Sequence, residues 1–460
     1  MEKHRRLVCG ATQIIGLLVF IYMLYIQSYG LDHIKFCFGK WNATMQEVDV
    51  EDNLLPSLKS LIGDNDLPKL ETTGFACDST VHSVVCVASN PVKINLKTLE
   101  IYMPTRLNST SLKEEEKNVQ VRPYAWDQFD LLKNITPVNF LYEPPQTQAK
   151  HCDYNHTIPA IVFSSGGFVG NLFHEFDEII IPLFITSHIF NSQVQFVITD
   201  YNPIFVEKFK HILSSLSHYN MLNVSSNTSI HCFPAIIVGL KFHSYLSINY
   251  SEVPMGNSII NFRKFLTTTY GLKPTNVSYI TSTTPVLILV SRRKTRLFSN
   301  EDEIVDMMEE LGFEVIVVRS NKKMSNLEKF AKHVSTCSVL VGAHGAGLTN
   351  MFFLPPGAVV VQVVPLGLEW PSTVYFGEPA VQMGLHYLDY KIGPDESSLI
   401  DLYPRDGPVI SDPLSVFAKG YYIGKETYLD KQNIRVDVKR FKDTLVEALR
   451  LLGHSIPLST

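Results

Sequence analysis

Seven short runs of Val, Ile, Leu and Phe, nearly free of polar alternation, limit what this chain can fold into: 159–165, 194–200, 235–240, 285–291, 314–319, 338–342 and 358–364. A strand with one wet face alternates apolar and polar residues. A continuous apolar run is covered on both faces, as in a parallel sheet between two layers of helices. The intervening segments supply those helices. Ile304, Met307, Met308 and Leu311 recur at i, i+3, i+4 and i+7, as do Leu327, Phe330, Ala331 and Val334, the spacing of one helix face. Strand 285–291, helix 301–312, strand 314–319, helix 325–336 and strand 338–342 therefore predict a βαβαβ half of a doubly wound α/β fold. A second α/β block occupies 155–270, so two Rossmann-like lobes facing a cleft are expected. The length of 460 residues agrees, exceeding what one hydrophobic core organises. A last helix is expected near 436–452, with Val438, Phe441, Leu445 and Leu449 as its apolar stripe.

The N-terminus points to a compartment. Lys3, Arg5 and Arg6 precede an uncharged stretch of 20 residues, Leu7–Ile26, which at about 1.5 Å per residue spans the roughly 30 Å bilayer core. Basic residues before it put the N-terminus in the cytoplasm and the body on the far side. The rival is a cleaved signal peptide ending at Ser28-Tyr29-Gly30, but the apolar stretch is longer than such a segment needs. Eight N-x-[ST] sequons agree with a lumenal body: Asn42, Asn108, Asn134, Asn155, Asn223, Asn227, Asn249 and Asn276. Beyond Cys9 in the anchor, the chain has Cys37, Cys77, Cys86, Cys152, Cys232 and Cys337. An even number suggests disulfides there, and Cys77 with Cys86 are candidates for a short local loop. No Cys/His spacing is of zinc type. A net charge of −5 argues against a nucleic-acid partner. The expected layout is a tail (1–6), an anchor (7–26), an acidic stem (27–75), an acceptor-side lobe (76–280), a nucleotide-side lobe (281–430) and a closing helix with tail (431–460).

Three segments carry chemistry. Ser291-Arg292-Arg293-Lys294-Thr295-Arg296 follows a buried strand, and ligands of open α/β sheets bind beyond carboxyl strand ends. Guanidinium forks there suit a diphosphate, although a solvated basic loop has the same composition. Gly342-Ala343-His344-Gly345-Ala346-Gly347 also follows a buried strand. Its small residues let backbone N–H groups approach a phosphate, or simply permit tight packing. In the first block, SSGGFVGNLFHEFDE at 164–178 sets His174 and Glu178 at i and i+4 on one helix face, with Glu175 and Asp177 beside them. A carboxylate there serves as general base or complements the helix dipole. A metal pair at His174 and Glu178 lacks a third ligand.

These segments, in this order, resemble the plant branch of glycosyltransferase family 61. The matching pieces are GGFVGNLFHEFDEIIIPLF at 166–184, ILVSRRKTR at 288–296, GAHGAGLTNMFFLPPGAVVVQVVP at 342–365 and FGEPAVQMGLHYLDY at 376–390. ESSL at 396–399, YPRDGPVI at 403–410 and QNIRVDVKRF at 432–441 continue the match. The resemblance covers about 75–452 and implies a GT-B fold, a single-pass type II Golgi protein and inverting, metal-independent transfer of a pentose from a UDP-sugar to xylan. Gln362 agrees with the xylan-acting branch. Family members often read H-D-F-N-D where this chain has His174-Glu175-Phe176-Asp177-Glu178. Gly407 stands where many relatives have His, and Tyr421 where many have Trp.

The expected donor site is Arg292, Arg293, Arg296, His344, Gly345, Ala346, Gly347 and Gln362. His174, Glu178 and Asp177 are expected to orient or deprotonate a xylan hydroxyl, with no cofactor and no metal. Asp64-Asn65-Asp66 formally resembles a D-x-D metal motif but is expected to be a solvated turn. Two rivals stand beside this reading: a non-catalytic glycan-binding or scaffold member of a Golgi complex, and a glycoside hydrolase, which needs two cleft carboxylates.

Overall fold

The computed structural model describes residues 50–80, 82–104, 118–126, 132–143, 151–249, 258–273, 277, 284–319 and 326–454. The expected tail, anchor and first part of the stem lie outside these residues, as do Cys9, Cys37, Asn42, Asn108 and Asn276. Among the described residues no helix is long and apolar enough to cross a membrane. Leu54–Thr460 is one compact unit, and the unit before it, Met1–Asn53, is described only over its last residues.

Helices α1 (Val50–Lys59) and α2 (Leu67–Thr73) open the described chain. Here the structure corrects the expected stem boundary. Leu58, Leu61 and Leu70 are buried in the main core, so the chain joins the body well before residue 75. The acidic flanks hide the helical spacing of Leu54, Leu58 and Leu61. Asp64 and Asn65 sit exposed in the turn between the helices, as expected.

The strands follow as β1 (Phe75–Ser79), β2 (Val84–Ala88), β3 (Val92–Asn95), β4 (Glu100–Pro104), β5 (Asn118–Val121), β6 (Val138–Glu143), β7 (Tyr154–Asn155), β8 (Ala160–Ser164), β9 (Gln195–Thr199), β10 (Leu222–Asn223), β11 (Ile230–Phe233), β12 (Ile236–Val238), β13 (Val286–Val290), β14 (Glu314–Val318), β15 (Val339–Ala343), β16 (Val359–Val364) and β17 (His386–Lys391). They form three sheets. The third, ordered β14-β13-β15-β16-β17, is parallel throughout. The first, β1-β2-β12-β8-β9-β10, is parallel from β12 to β10, with β1 and β2 antiparallel at one edge. All seven apolar runs are strands of these two sheets. The middle sheet, β5-β6-β4-β3-β11-β7, escapes sequence reading because its strands are short and only partly buried.

Two disulfides brace the first half. Cys77 pairs with Cys86 across β1 and β2, the expected local pair. Cys152 ties the segment before β7 to Cys232 in β11, and Cys337 is a buried free thiol.

The helices that position the site are α3 (172–187), α4 (Pro203–Leu216), α5 (Ile259–Thr269), α6 (Glu301–Glu310), α7 (Leu327–Val334) and α8 (Val438–Leu451). Helix α3 runs from Leu172–His174 through a π-helical stretch, Glu175–Ile180, into Ile181–Ser187. Asn171 starts it by accepting from the Phe173 amide. Its inner face joins the two halves of the body. Phe176 stacks on Phe352 at 5.1 Å and meets Phe209 edge-on at 5.8 Å. Burying such a ring is worth about 1.5–3 kcal/mol. From α5, Arg263 donates to the main-chain oxygens of Phe352, Leu354 and Met383.

Candidate active site

In the parallel sheet, the crossover from β13 leads outward to β14 and that from β14 returns past β13 to β15, so the carboxyl ends of β13 and β15 flank the topological switch point where ligands of such sheets bind. The basic segment leaves β13 at that point, and the glycine segment leaves β15 beside it. Arg292 Nε donates to the Thr295 carbonyl at 2.8 Å. Arg296, held at φ 53°, turns back so that its Nη1 donates to the His344 carbonyl at 3.0 Å. Both guanidinium groups converge on Gly345 (φ 145°). A Cβ there would lie 2.4 Å from Arg292 Nη1 and 3.5 Å from Arg296 Nη1. Glycine is required at this position because residues with a Cβ rarely adopt this φ, and a Cβ would in addition displace the Arg292 guanidinium.

Neither Arg292 nor Arg296 has a carboxylate in ion-pair contact among the described residues, although Arg296 is buried. Burial, and next the neighbouring Arg292 charge, lower the Arg296 guanidinium to about 9. Arg296 Nε, Thr349 Oγ1 and Asn350 Oδ1 are buried without a partner. Two uncompensated cations around a glycine turn are costly alone and suited to an anion.

His344, whose carbonyl accepts from Arg296, is buried. Burial, then Arg296 and Arg292, lower its imidazole to about 3, so it is neutral. Tyr387 OH donates to Gln362 Oε1 at 2.8 Å, and Gln362 Nε2 donates to His344 Nδ1 at 3.0 Å. Ser372 Oγ donates to the same nitrogen at 3.1 Å. The proton of His344 therefore sits on Nε2, making that atom a hydrogen-bond donor.

The second cluster follows β8, which like β13 lies next to a switch point, between β8 and β12. Glu178 is fully buried and accepts from Tyr124 OH through Oε2 and from His174 Nδ1 through Oε1. The side chain of His174 is 19% exposed. Phe168 stacks on its ring at 4.3 Å and Trp126 at 6.0 Å. With Glu178 accepting from both partners, the His174 proton sits on Nδ1 and the lone pair on Nε2. Glu178 also pushes the Tyr124 phenol upward, after burial.

The clusters meet through rings. His174 faces Phe173 edge-on at 5.2 Å, Phe173 lies 5.6 Å from Phe376, and Phe376 lies 5.5 Å from His344. Phe376 belongs to a second π-helical stretch, Thr373–Gly377, and such stretches recur at functional sites.

A profile for Glycosyltransferase 61 matches residues 172–361, which contain His174, Glu178, Arg292, Arg296, His344 and Gly345. An alpha-1,3-arabinosyltransferase, XAT2 of Oryza sativa subsp. japonica, is 38% identical over 402 residues, 85% of this chain and 68% of that protein. The chain belongs to glycosyltransferase family 61. The xylan glycosyltransferase MUCI21 of Arabidopsis thaliana is 31% identical over 420 residues, 86% and 84% of the two chains. The beta-1,2-xylosyltransferase XYXT1 of Oryza sativa subsp. japonica is 33% identical over 387 residues, 80% and 82% of the two.

The structure brings together Arg292, Arg296, His344 and Gly345, with Ala346 and Gly347 partly exposed beside them. Three expected site residues stand elsewhere. Arg293 points outward to Glu301 at 3.5 Å. Gln362 is fully buried behind His344 and orients that ring without reaching a ligand. Asp177 is buried, and its Oδ1 accepts from the Leu246 amide at 2.6 Å. Burial holds its carboxyl well above the usual range. Glu175, also buried, is neutralised by Lys208 Nζ at 2.6 Å. With all three acids of α3 enclosed, the glycoside hydrolase reading finds no exposed carboxylate pair there. Tyr124, Ser372 and Tyr387 were not legible in sequence, because each reaches the site from a distant segment.

Proposed function

We propose that this chain transfers a pentose, xylose or arabinofuranose, from a UDP-sugar to xylan by inverting displacement. The relatives' names supply the sugar and the acceptor, and the mechanistic reading is carried by the part-buried Arg292 and buried Arg296, neither in ion-pair contact with a carboxylate among the described residues. The acceptor hydroxyl approaches His174, whose Nε2 takes its proton as the oxygen attacks the anomeric carbon. The bond from that carbon to the diphosphate breaks on the opposite face, and UDP leaves with the electron pair. Arg292, Arg296 and the Gly345–Gly347 amides stabilise the growing negative charge, and His344 Nε2–H donates a further hydrogen bond. The proton on His174 then passes to solvent. In this reading Glu178 is the positioning residue. It holds the imidazole in one tautomer and stabilises its cationic form, as a buried carboxylate does in other His-dependent sites.

The two doubly wound halves support a GT-B arrangement. The N-terminal apolar stretch and the sequons support a type II Golgi protein with a lumenal body. The charge stabilisation built from arginines and amides supports metal-independent transfer. The test is the purified body with UDP-xylose or UDP-arabinofuranose and xylo-oligosaccharides, reading UDP release and the anomeric configuration of the product. A product of retained configuration would overturn the mechanism. Absence of transfer from every UDP-pentose, with UDP itself failing to bind, would overturn the function.

A further inference from the structure

Large aromatic side chains are seldom left in water without a partner, and one such ring here heads a chain of others. Trp370 is 61% exposed and Tyr421 58% exposed. Trp370 meets Tyr375 edge-on at 5.7 Å, Tyr375 lies 4.8 Å from Tyr245, and Tyr245 meets Trp126 edge-on at 6.2 Å. Trp126 then stacks on His174. The rings form a continuous track from solvent to the proposed base. Tyr421 packs edge-on against Tyr422 at 5.4 Å and interacts with Tyr375, whose phenol is pushed upward by burial, then by Tyr245 and Tyr421. The track is held from beneath. Asp177 fixes the Leu246 amide next to Tyr245, with Leu246 at φ 42°, and Phe173 supports Tyr375 at 5.1 Å.

We propose that Trp370, Tyr375 and Tyr421 form an acceptor platform that stacks xylopyranose units flanking the unit being substituted. The proposal rests on the xylan reading above and adds where the chain lies. An aromatic face is electronegative and attracts weakly positive C–H groups. A xylopyranose chair with equatorial hydroxyls presents axial C–H bonds on both faces and has no exocyclic hydroxymethyl to lift it from a ring.

Binding of xylobiose and xylohexaose, and KM and kcat for both, are compared in the wild type, Trp370→Ala, Trp370→Phe and Tyr421→Ala. Ile204→Ala, which removes a 75% exposed side chain on α4, serves as control. The platform predicts that wild type favours xylohexaose over xylobiose by about tenfold or more in both binding and KM, from stacking worth about 1 kcal/mol per ring or more. Trp370→Ala and Tyr421→Ala should each reduce that ratio toward one, chiefly through KM, and Trp370→Phe should restore most of it. An unchanged ratio in the alanine variants overturns the platform while leaving the transfer reading intact. A variant-sensitive binding ratio without transfer from any UDP-pentose keeps the platform and overturns the transfer reading. Trp370 and Tyr421 are exposed enough for both alanine variants to fold, which their melting temperatures verify.

Discussion

Glu178→Gln tests the division of labour between His174 and Glu178. Glu178 is fully buried and accepts two hydrogen bonds, from Tyr124 and from His174. Glutamine has the same shape but one acceptor and one donor end. If its oxygen faces Tyr124, its NH2 donates to His174 Nδ1, the imidazole proton moves to Nε2, and no lone pair faces the acceptor. If its oxygen faces His174, the tautomer survives but the charge that stabilises the imidazolium is lost. That charge is worth about 4 kcal/mol at 4 Å and an effective dielectric of 20. Positioned general bases contribute about 10²- to 10⁴-fold, which is about 2.7–5.4 kcal/mol. The expected result is a kcat lowered about 10²- to 10⁴-fold with donor KM changed less than about threefold, because the proposed diphosphate contacts come from the segments after β13 and β15. His174→Gln should lose a similar amount, and the double variant should lose no more than the worse single one, since the two act as a unit. UDP release at saturating donor and xylo-oligosaccharide measures this, with melting temperature as the folding check. A folded Glu178→Gln enzyme within threefold of wild-type kcat, or fully additive losses, would refute the dyad.

Gly345→Ala places a Cβ where Arg292 Nη1 now lies, so donor KM and UDP dissociation constant should rise about 10- to 100-fold, the cost of a charged hydrogen bond. Calorimetry with UDP checks it. Asp177→Asn retains an oxygen for the Leu246 amide and should cost little stability, whereas Asp177→Ala leaves that amide unpaired and should cost about 1–3 kcal/mol in denaturant unfolding. Burial lowers His344 to about 3 and His231 to about 4, against an ordinary value near 6.5. The unfolded chain therefore binds protons that the native state refuses, and stability present above about pH 6.5 is lost as pH falls toward 4. At pH 5.5 each contributes a loss of about 1.4 kcal/mol, so melting temperature should fall from pH 7.5 to 5.5 and His344→Gln should flatten the slope. Replacing Cys152 and Cys232 by serine opens a loop of sequence separation 80, which should cost about 4–5 kcal/mol in chain entropy, read as a drop in denaturant midpoint.

Much of the fold is legible because burial on both faces writes itself as uninterrupted apolar runs. Val286–Val290 and Val339–Ala343 read as central parallel strands, and ligands of such sheets bind beyond their carboxyl ends. The glycines and arginines at those ends, Arg292, Arg296 and Gly345 among them, could be singled out because they follow such strands directly. The compartment, too, is an inference from the basic tail and apolar stretch. What sequence could not decide is which neighbour each polar group meets. Arg292 and Arg293 are adjacent in the chain, yet one reaches Gly345 and the other Glu301. Gln362 lies behind His344 because β15 and β16 are in register there. The acids of α3 look interchangeable as text. The tertiary structure gives Glu175 to Lys208, Asp177 to the Leu246 amide and Glu178 to Tyr124 and His174. Periodicity reports local burial, whereas a hydrogen-bond partner brought from 54 residues away, as Tyr124 is to Glu178, depends on how the sheets pack.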